Sequence, residues 1–357
     1  MNELNKDSKI VITCDHLIER GPINDLIDMV CQLYKNAEVY TLIHKKGGVL
    51  GTVEQRPIRS SYLSNLIKEA GQIKSFSFLL PSASKALTIP CSVDLVINIT
   101  NGFSQCINVC KQTKLLTYIY DLKNLDFSDC PIHNRLFSSY VKDWAFKGFK
   151  KSNYLISSSD YLKKLFIDKS IGKNIEVLKP FIKLDDLSAG NSKKGDYYLI
   201  NSSDLNLSMI TKIINKFNDA GRRFQFIGDN KLFKKINLSN KLFSINPCNG
   251  ELAEMIKGSV GLIDFTNNSF PALGLRTIAM GRPVYTTSCP YKKEFLGNEG
   301  ITYLNVGNEN KIDFLDRILN KEKQSFEASK MVAHAHQYGQ IRFKARFMRI
   351  IRDIHLN

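Results

Sequence analysis

Short apolar runs recur along this chain at intervals that leave room for one helix between each pair, and this alternation limits the fold more than any other feature. In the first half the runs are "KIVITC" (9–14), "EVYTLI" (38–43), "VDLVINI" (93–99), "LLTYIY" (115–120) and "NYLISSS" (153–159). Between the first two, "NDLIDMVCQLY" places Leu26, Met29, Val30 and Leu33 at helical spacing. Runs that are apolar throughout, rather than alternating, fit strands covered on both faces, which means a parallel sheet between helices. The polar stretch "LDDLSAGNSKKGD" (184–196) interrupts the pattern and reads as a linker. The alternation then restarts with "YYLIN" (197–201), a helix carrying Ile210, Ile213, Ile214 and Phe217 on one face, then "RFQFIGD" (223–229), "LFSINP" (242–247), "SVGLIDF" (259–265) and "RPVYTTS" (282–288). The expected result is an α/β chain of two doubly wound domains, 1–188 and 189–335, facing a cleft. A C-terminal helix, 336–357, is expected to pack back on the first domain. Ligands of such sheets sit at the carboxyl ends of the strands.

Length and composition agree, since 357 residues with 43% hydrophobic and 24% charged side chains suit two globular cores. The net charge of +16 would attract polyanions: nucleic acid, anionic lipid or a diphosphate ligand. A lysine-rich bias spread through the chain gives the same total. No nucleic-acid-binding module accompanies the charge. The eight cysteines form no CxxC pair and no metal spacing, and several lie in apolar runs; they read as reduced, buried and cytoplasmic. No signal peptide pattern opens the sequence, and no apolar run approaches the roughly 18 residues that span a bilayer. The expectation is a cytoplasmic protein, with a peripheral place on the inner face of the membrane left open. His334 and His336 stand two apart on a helical stretch and point to different sides, so no metal site is expected there. "QIRFKARFMRIIRDIHLN" is a basic amphipathic helix, with Phe343, Phe347, Ile350 and Ile351 on one stripe and Arg342, Arg346, Arg349 and Arg352 beside it. "VKDWAFKGFKKS" (141–152) interleaves Trp144, Phe146 and Phe149 with lysines and fits either a core helix with a basic outer face or a segment lying on anionic lipid.

Taken in order, several segments resemble family-4 glycosyltransferases of GT-B fold, of the bacterial O-antigen and capsular polysaccharide type. "KIVITCDHLIERGPINDLIDMVCQLY" looks like that family's opening strand, turn and long helix. "RPIRSSYLSNL" (56–66), "VDLVINITNGFSQCI" and "KSNYLISSSDYLKKLF" are similar to its later first-domain segments. In the second half "FQFIGDN", "ELAEMIKGSVGLIDF" and "AMGRPVYTT" are similar to its strands and helices. The resemblance implies two Rossmann-like doubly wound domains. It also implies retaining transfer of a sugar from a nucleotide-sugar to a glycan or polyprenyl-linked acceptor, with no cofactor and no metal ion.

The same resemblance marks the site, and there this chain departs from it. The donor-binding turn after the first strand is represented by Arg20 and Gly21, followed by Pro22, which has no N–H to offer. Tyr120 stands where the family carries a histidine. Ser203 replaces the arginine that neutralises the diphosphate, and no lysine follows before Lys212. Asn268 and Arg276 replace two glutamates eight positions apart, in "NSFPALGLRTIAM", where Pro271 and Leu273 also lie. A guanidinium has donors only and cannot accept from ribose hydroxyls as a carboxylate does. Gly228 ends a β-run where backbone must turn close to a ligand or a neighbour. The candidate set is therefore Tyr120 and Arg276 as catalytic, and Arg20, Gly21, Ser203, Gly228, Asn268 and Leu273 as donor-binding. Each lost oxyanion-type donor costs about 3–4 kcal/mol of transition-state stabilisation, so two functions compete. One is an active transferase, with Arg20, Arg276 and Arg282 supplying positive charge. The other is a catalytically inactive glycosyltransferase-like subunit that binds a partner glycosyltransferase or a glycan. A basic membrane-surface scaffold is a third.

Overall fold

The structure, a computed structural model, describes residues 8–128, 135–171, 174–184, 195–228, 243–245, 249–304, 310–320 and 326–356. The chain divides into two compact units. One is Met1–Pro180 with Phe343–Asn357, and the other is Phe181–Arg342. Most of the linker-like stretch read at 184–196 lies outside the described residues.

The first unit is built on seven strands: β1 (Ile10–Leu17), β2 (Glu38–His44), β3 (Ile58–Ser60), β4 (Leu95–Thr100), β5 (Lys114–Ile119), β6 (Tyr154–Ser157) and β7 (Ile175–Val177). Their order is β3-β2-β1-β4-β5-β6-β7, and every neighbouring pair is parallel. The second unit has β8 (Tyr197–Asn201), β9 (Arg223–Gly228), β10 (Phe243–Ile245), β11 (Ser259–Asp264), β12 (Val284–Thr287) and β13 (Ile301–Leu304). Its order is β10-β9-β8-β11-β12-β13, again all parallel. Each order runs outward in both directions from its first strand, the doubly wound arrangement that the continuous apolar runs require. β4 shows why: all six of its residues are buried, so neither face could be left to water. The polar members of these runs pair across strands. Thr13 Oγ1 donates to Asn98 Oδ1 at 2.7 Å, and Asn98 Nδ2 donates to Thr117 Oγ1 at 3.3 Å, which satisfies three buried polar side chains together.

Helices cover both sheets. Pro22–Leu33 starts with Pro at its first position, where the missing N–H costs nothing, and buries Leu26, Ile27, Met29 and Val30. The helix Ser138–Phe149 buries Val141, Ala145, Gly148 and Phe149, with Trp144 and Phe146 packed partly buried against the core. Its aromatics therefore face inward, while Lys147 and Lys150 are exposed. The last helix, Gln340–Leu356, buries Phe343, Phe347, Ile350, Ile351 and Ile354. It is tied to the first unit by Lys114 Nζ donating to the Ile354 carbonyl at 3.0 Å, and by Arg346 donating to the Val177 carbonyl at 3.1 Å.

Two sequence expectations change. Strands β3, β7 and β13 were not singled out, because three or four residues at a sheet margin carry too little pattern to register. The cysteines are not all reduced. Cys91 and Cys110, with Cα atoms 5.3 Å apart, form a disulfide joining the segments that lead into β4 and β5. The reading failed because it weighed spacing within the chain, whereas the parallel pairing of β4 with β5 brings residues 19 apart side by side. Cys14, Cys31 and Cys106 are free and buried, as the apolar context indicated, and Cys289 is free and half-buried.

Candidate functional site

In each sheet the connections leave in opposite directions from one pair of neighbouring strands: β1 and β4 in the first unit, β8 and β11 in the second. The carboxyl ends of those pairs are where this architecture holds ligands. Both ends carry a buried aspartate, and the two are satisfied differently.

In the first unit Asp15, 4% exposed, lies two residues before the end of β1. Its carboxylate accepts from the backbone N–H of Ser104 at 2.6 Å, of Asn101 at 3.0 Å and of Phe103 at 3.2 Å. It also accepts from Thr100 Oγ1 at 2.8 Å and Asn124 Nδ2 at 2.9 Å. A loop of convergent N–H groups after a strand is an anion site, and here the protein's own anion fills it. Next along β1, the His16 Nδ1 is buried with no partner among the described residues. Burial lowers its imidazole below the usual value and favours the neutral form.

The turn after β1 is also internally committed. Arg20 donates to Asp25 and Asp28 at 2.6 Å each, and to the Leu50 carbonyl at 2.6 Å. The Gly21 N–H donates to Asn24 Oδ1 at 2.7 Å. Tyr120 follows β5 and is 6% exposed; burial raises its phenol well above 10, so it stays protonated. Asp121, beside it, is buried, and desolvation lifts its carboxyl to about 6 even though the Lys123 N–H donates to it at 3.0 Å.

In the second unit Asp264 closes β11 opposite Asn201, the last residue of β8. Asp264 Oδ1 accepts from Thr266 Oγ1 at 2.7 Å, from the Thr266 N–H at 3.1 Å and from Asn201 Nδ2 at 3.1 Å. The opposing charge is Lys292, which is wholly buried. Its Nζ lies 3.6 Å from Asp264 Oδ2 and donates to Thr286 Oγ1 at 2.5 Å, the Asp264 carbonyl at 3.1 Å and Thr287 Oγ1 at 3.2 Å. The buried Nζ thus has three hydrogen-bond acceptors and a carboxylate close by, the pairing that a buried charge requires.

The predicted residues of this unit lie on three strand ends or the segments that follow them. Ser203 follows β8, and its N–H and Oγ both donate to Asn201 Oδ1, at 3.2 and 2.9 Å. Gly228 closes β9 with φ +152°. A Cβ there would collide with Ser202 Oγ and crowd the Ser203 N–H, so the glycine permits the two strand ends to lie this close. Asn268 is half-buried in the loop after β11, with Nδ2 3.4 Å from Thr266 Oγ1, and the neighbouring Asn267 N–H donates to Asp204 at 2.9 Å. Leu273 and Arg276, both half-buried, sit on the helix Ala272–Ala279. Pro271 is that helix's N-cap. It provides no side-chain cap, and the first turn carries no acid. Arg282 donates to the Lys257 carbonyl at 2.7 Å, and His334 is hydrogen-bonded to the Phe295 carbonyl at 2.7 Å.

The candidate residues thus fall into two groups. Arg20, Gly21 and Tyr120 belong to the first unit, and Ser203, Gly228, Asn268, Leu273 and Arg276 to the second. Sequence reading missed Asp121, Asp264 and Lys292. The signal for Asp264 was available, since "VGLIDF" ends a continuous apolar strand on a charge. Lys292 gave none, because one lysine among many reveals its burial only in three dimensions.

No protein-family model matches the chain, and neither does any curated protein. Solved structures do match. Sucrose-phosphate synthase from Thermosynechococcus elongatus aligns at a TM-score of 0.66 over 98% of this chain and 99% of that one, at 10% identity. HepE from Anabaena, in complex with UDP and glucose, aligns at 0.64 over 97% and 100%, at 12% identity. A glycosyltransferase from Rickettsia africae ESF-5 aligns at 0.59 over 98% and 100%, at 14% identity. The fold is therefore that of the GT-B glycosyltransferases, α/β with two Rossmann-like parallel-sheet domains.

Proposed function

We propose that this protein is a glycosyltransferase. It takes a sugar from a nucleotide-sugar, with retention, and passes it to a glycan or lipid-linked acceptor in surface polysaccharide assembly. The observation that carries the reading is end-to-end likeness to transferases, among them HepE, whose complexes hold UDP and UDP-glucose.

The donor is assigned to the second unit on physical grounds. The helix Ala272–Ala279 offers an N-terminus with no side-chain cap and no acid in its first turn, and Arg276 lies about one turn in. Backbone N–H groups and a positive dipole end suit a diphosphate. Lys292 already neutralises Asp264, the nearest buried carboxylate of that sheet. Ser203 and Gly228 at strand ends, Asn268 in the loop after β11 and Leu273 on the helix that follows are assigned to the donor. Arg276 takes the diphosphate charge as it develops. In retaining transfer of this type the departing phosphate receives the acceptor's proton on the same face, so the protein's work is to position reactants and stabilise charge. Tyr120, a protonated phenol of the first unit, is assigned a hydrogen-bonding role toward the acceptor. No cofactor enters the scheme.

Calorimetric titration of the purified chain with uridine, guanosine, cytidine and adenosine diphosphate sugars tests this reading. One nucleotide class is expected to bind and to be consumed slowly even without an acceptor. Binding without turnover under any acceptor would identify the inactive, partner-binding subunit instead. No binding to any member would overturn the reading.

A further inference from the structure

Polar side chains at the carboxyl end of the second sheet form one hydrogen-bonded network, and elementary chemistry fixes where its hydrogens lie. Asp264 is 3% exposed, Thr266 1% and Asn201 8%, while Ser203, just past the end of β8, is exposed. A carboxylate can only accept. The amide atom of Asn201 that lies 3.1 Å from Asp264 Oδ1 is therefore Nδ2, and Asn201 Oδ1 is turned the other way. The main chain sets the same orientation independently, since the Ser203 N–H can only donate and lies 3.2 Å from Asn201 Oδ1. The Ser203 hydroxyl, 2.9 Å from that same amide oxygen, donates to it as well. Both polar hydrogens of Ser203 are thus used inside the protein. What its Oγ retains for a ligand is acceptor lone pairs.

A second arm leaves the same carboxylate oxygen with the same polarity. Thr266 gives Asp264 Oδ1 both its N–H and its hydroxyl hydrogen, at 3.1 and 2.7 Å. Thr266 Oγ1 can then only accept, so the Asn268 amide atom 3.4 Å away is Nδ2. The buried Lys292 ammonium holds the carboxylate from its other oxygen. The Asn267 N–H donates to Asp204 at 2.9 Å, which ties the loop after β11 to the loop after β8. Asp204 is itself an exposed acid next to Ser203. An anion that approaches Ser203 finds no hydrogen to accept and a carboxylate one residue on. A hydroxyl finds an acceptor.

We propose that Asn201 is a positioning residue: oriented by Asp264, it holds Ser203 as a hydrogen-bond acceptor, and Ser203 reads a hydroxyl of the nucleotide-sugar rather than its diphosphate. The inference rests on the assignment of Ser203 to the donor and narrows it. The diphosphate is left to the start of the helix Ala272–Ala279, where backbone N–H groups are offered. Ser203 then discriminates between ligands by a hydroxyl they carry or lack, because an acceptor left without its donor costs affinity.

Calorimetric titration of the intact protein tests this by comparing UDP-, GDP-, CDP- and ADP-glucose with inorganic pyrophosphate, which has the diphosphate charge and no sugar hydroxyl. Ser203→Ala should weaken binding of the nucleotide-sugar by about fivefold and leave pyrophosphate unchanged. Ser203→Thr, which keeps the hydroxyl, should match the parent. Asn201→Ala leaves the Asp264–Lys292 pair in place and should show the same selective loss. Adding Ser203→Ala to it should cost nothing more, because the two residues act as one unit. Ser208→Ala, an exposed position on the following helix, should change nothing. Without ligand, amide exchange at Ser203 should speed up by about tenfold in Asn201→Ala, whose Ser203 N–H has lost its acceptor. Equal losses for nucleotide-sugar and pyrophosphate would make the role merely structural and overturn the inference. Unchanged affinity in Ser203→Ala, additive losses, or unaltered exchange at Ser203 would overturn it too, and each would leave the donor reading standing. Failure of all four nucleotide-sugars to bind would overturn both. Should Asn201→Ala not fold, the Ser203→Ala and Ser203→Thr pair still decides.

Discussion

The carboxyl ends of the two sheets solve one problem in opposite ways. In the first, Asp15 is held by main-chain N–H groups and neutral side chains, and Asp121 is buried close by. In the second, Asp264 faces the buried ammonium of Lys292. The first end has therefore used its anion-binding amides on its own carboxylate. The second is electrically closed and leaves the start of the helix Ala272–Ala279 uncapped by side chains. On the proposed reading a diphosphate therefore binds at the second end rather than the first.

The largest effect should come from breaking the balanced pair. Lys292→Met leaves Asp264 buried without its cation and should cost about 3–5 kcal/mol, read by denaturant or calorimetric unfolding. Adding Asp264→Asn should recover a large part of that loss. Equal losses in the single and double variants would mean that the charge pairing is not what matters.

Asp15→Ala comes next. It strips the acceptor from the N–H groups of Asn101, Phe103 and Ser104, at a cost of about 2–4 kcal/mol. Fluorescence of Trp144, the chain's single tryptophan, reports unfolding of the unit concerned. An unshifted midpoint would contradict the capping role.

Asp121 gives a pH dependence with a definite sign. Its carboxyl rises on folding from 3.8 to about 6, so the folded state holds its proton more tightly than the unfolded state does. Stability from this group is full below the unfolded value and falls as pH climbs through about 6, by about 3 kcal/mol in all. Asp121→Asn keeps an acceptor for the Lys123 N–H and removes the titration. The variant should match the parent near pH 4 and exceed it by about 2–3 kcal/mol at pH 8. Parallel pH profiles for the two proteins would refute the assignment.

Smallest is Arg276→Ala, which should weaken nucleotide-sugar binding by about tenfold, the equivalent of one charge-assisted hydrogen bond at about 1.4 kcal/mol. Unchanged affinity would place Arg276 outside the donor site.

The fold was legible because it rests on patterns that local sequence carries. β4 and β11 are unbroken apolar runs, and the Pro22–Leu33 stripe repeats at helical spacing. The three strands that went unread are short and marginal, and the disulfide was hidden because only sheet pairing brings Cys91 to Cys110. Of the candidate residues, Gly228 was read from the β-run it ends and Ser203 from the resemblance, and the structure puts the two against one another at strand ends. What sequence could not reveal was which charges are already spent. Arg20 reads as a free cation in "LIERGPIND", yet Asp25 and Asp28 engage it from the following helix turns. Lys292 reads as surface, yet it is the cation that makes the second sheet's end neutral. Charge bookkeeping of that kind depends on burial, and burial is a property of the assembled fold.

Backbone hydrogen exchange of the intact protein, with and without the nucleotide-sugar that binds it, addresses the comparison directly. The account predicts slowed exchange in Ser202–Asp204 and Thr266–Arg276, with Asp15–Gly21 and Asn101–Ser104 unchanged. Slowed exchange confined to Asp15–Gly21 and Asn101–Ser104 would contradict it, because the donor would then lie where the protein's own carboxylate already occupies the amides.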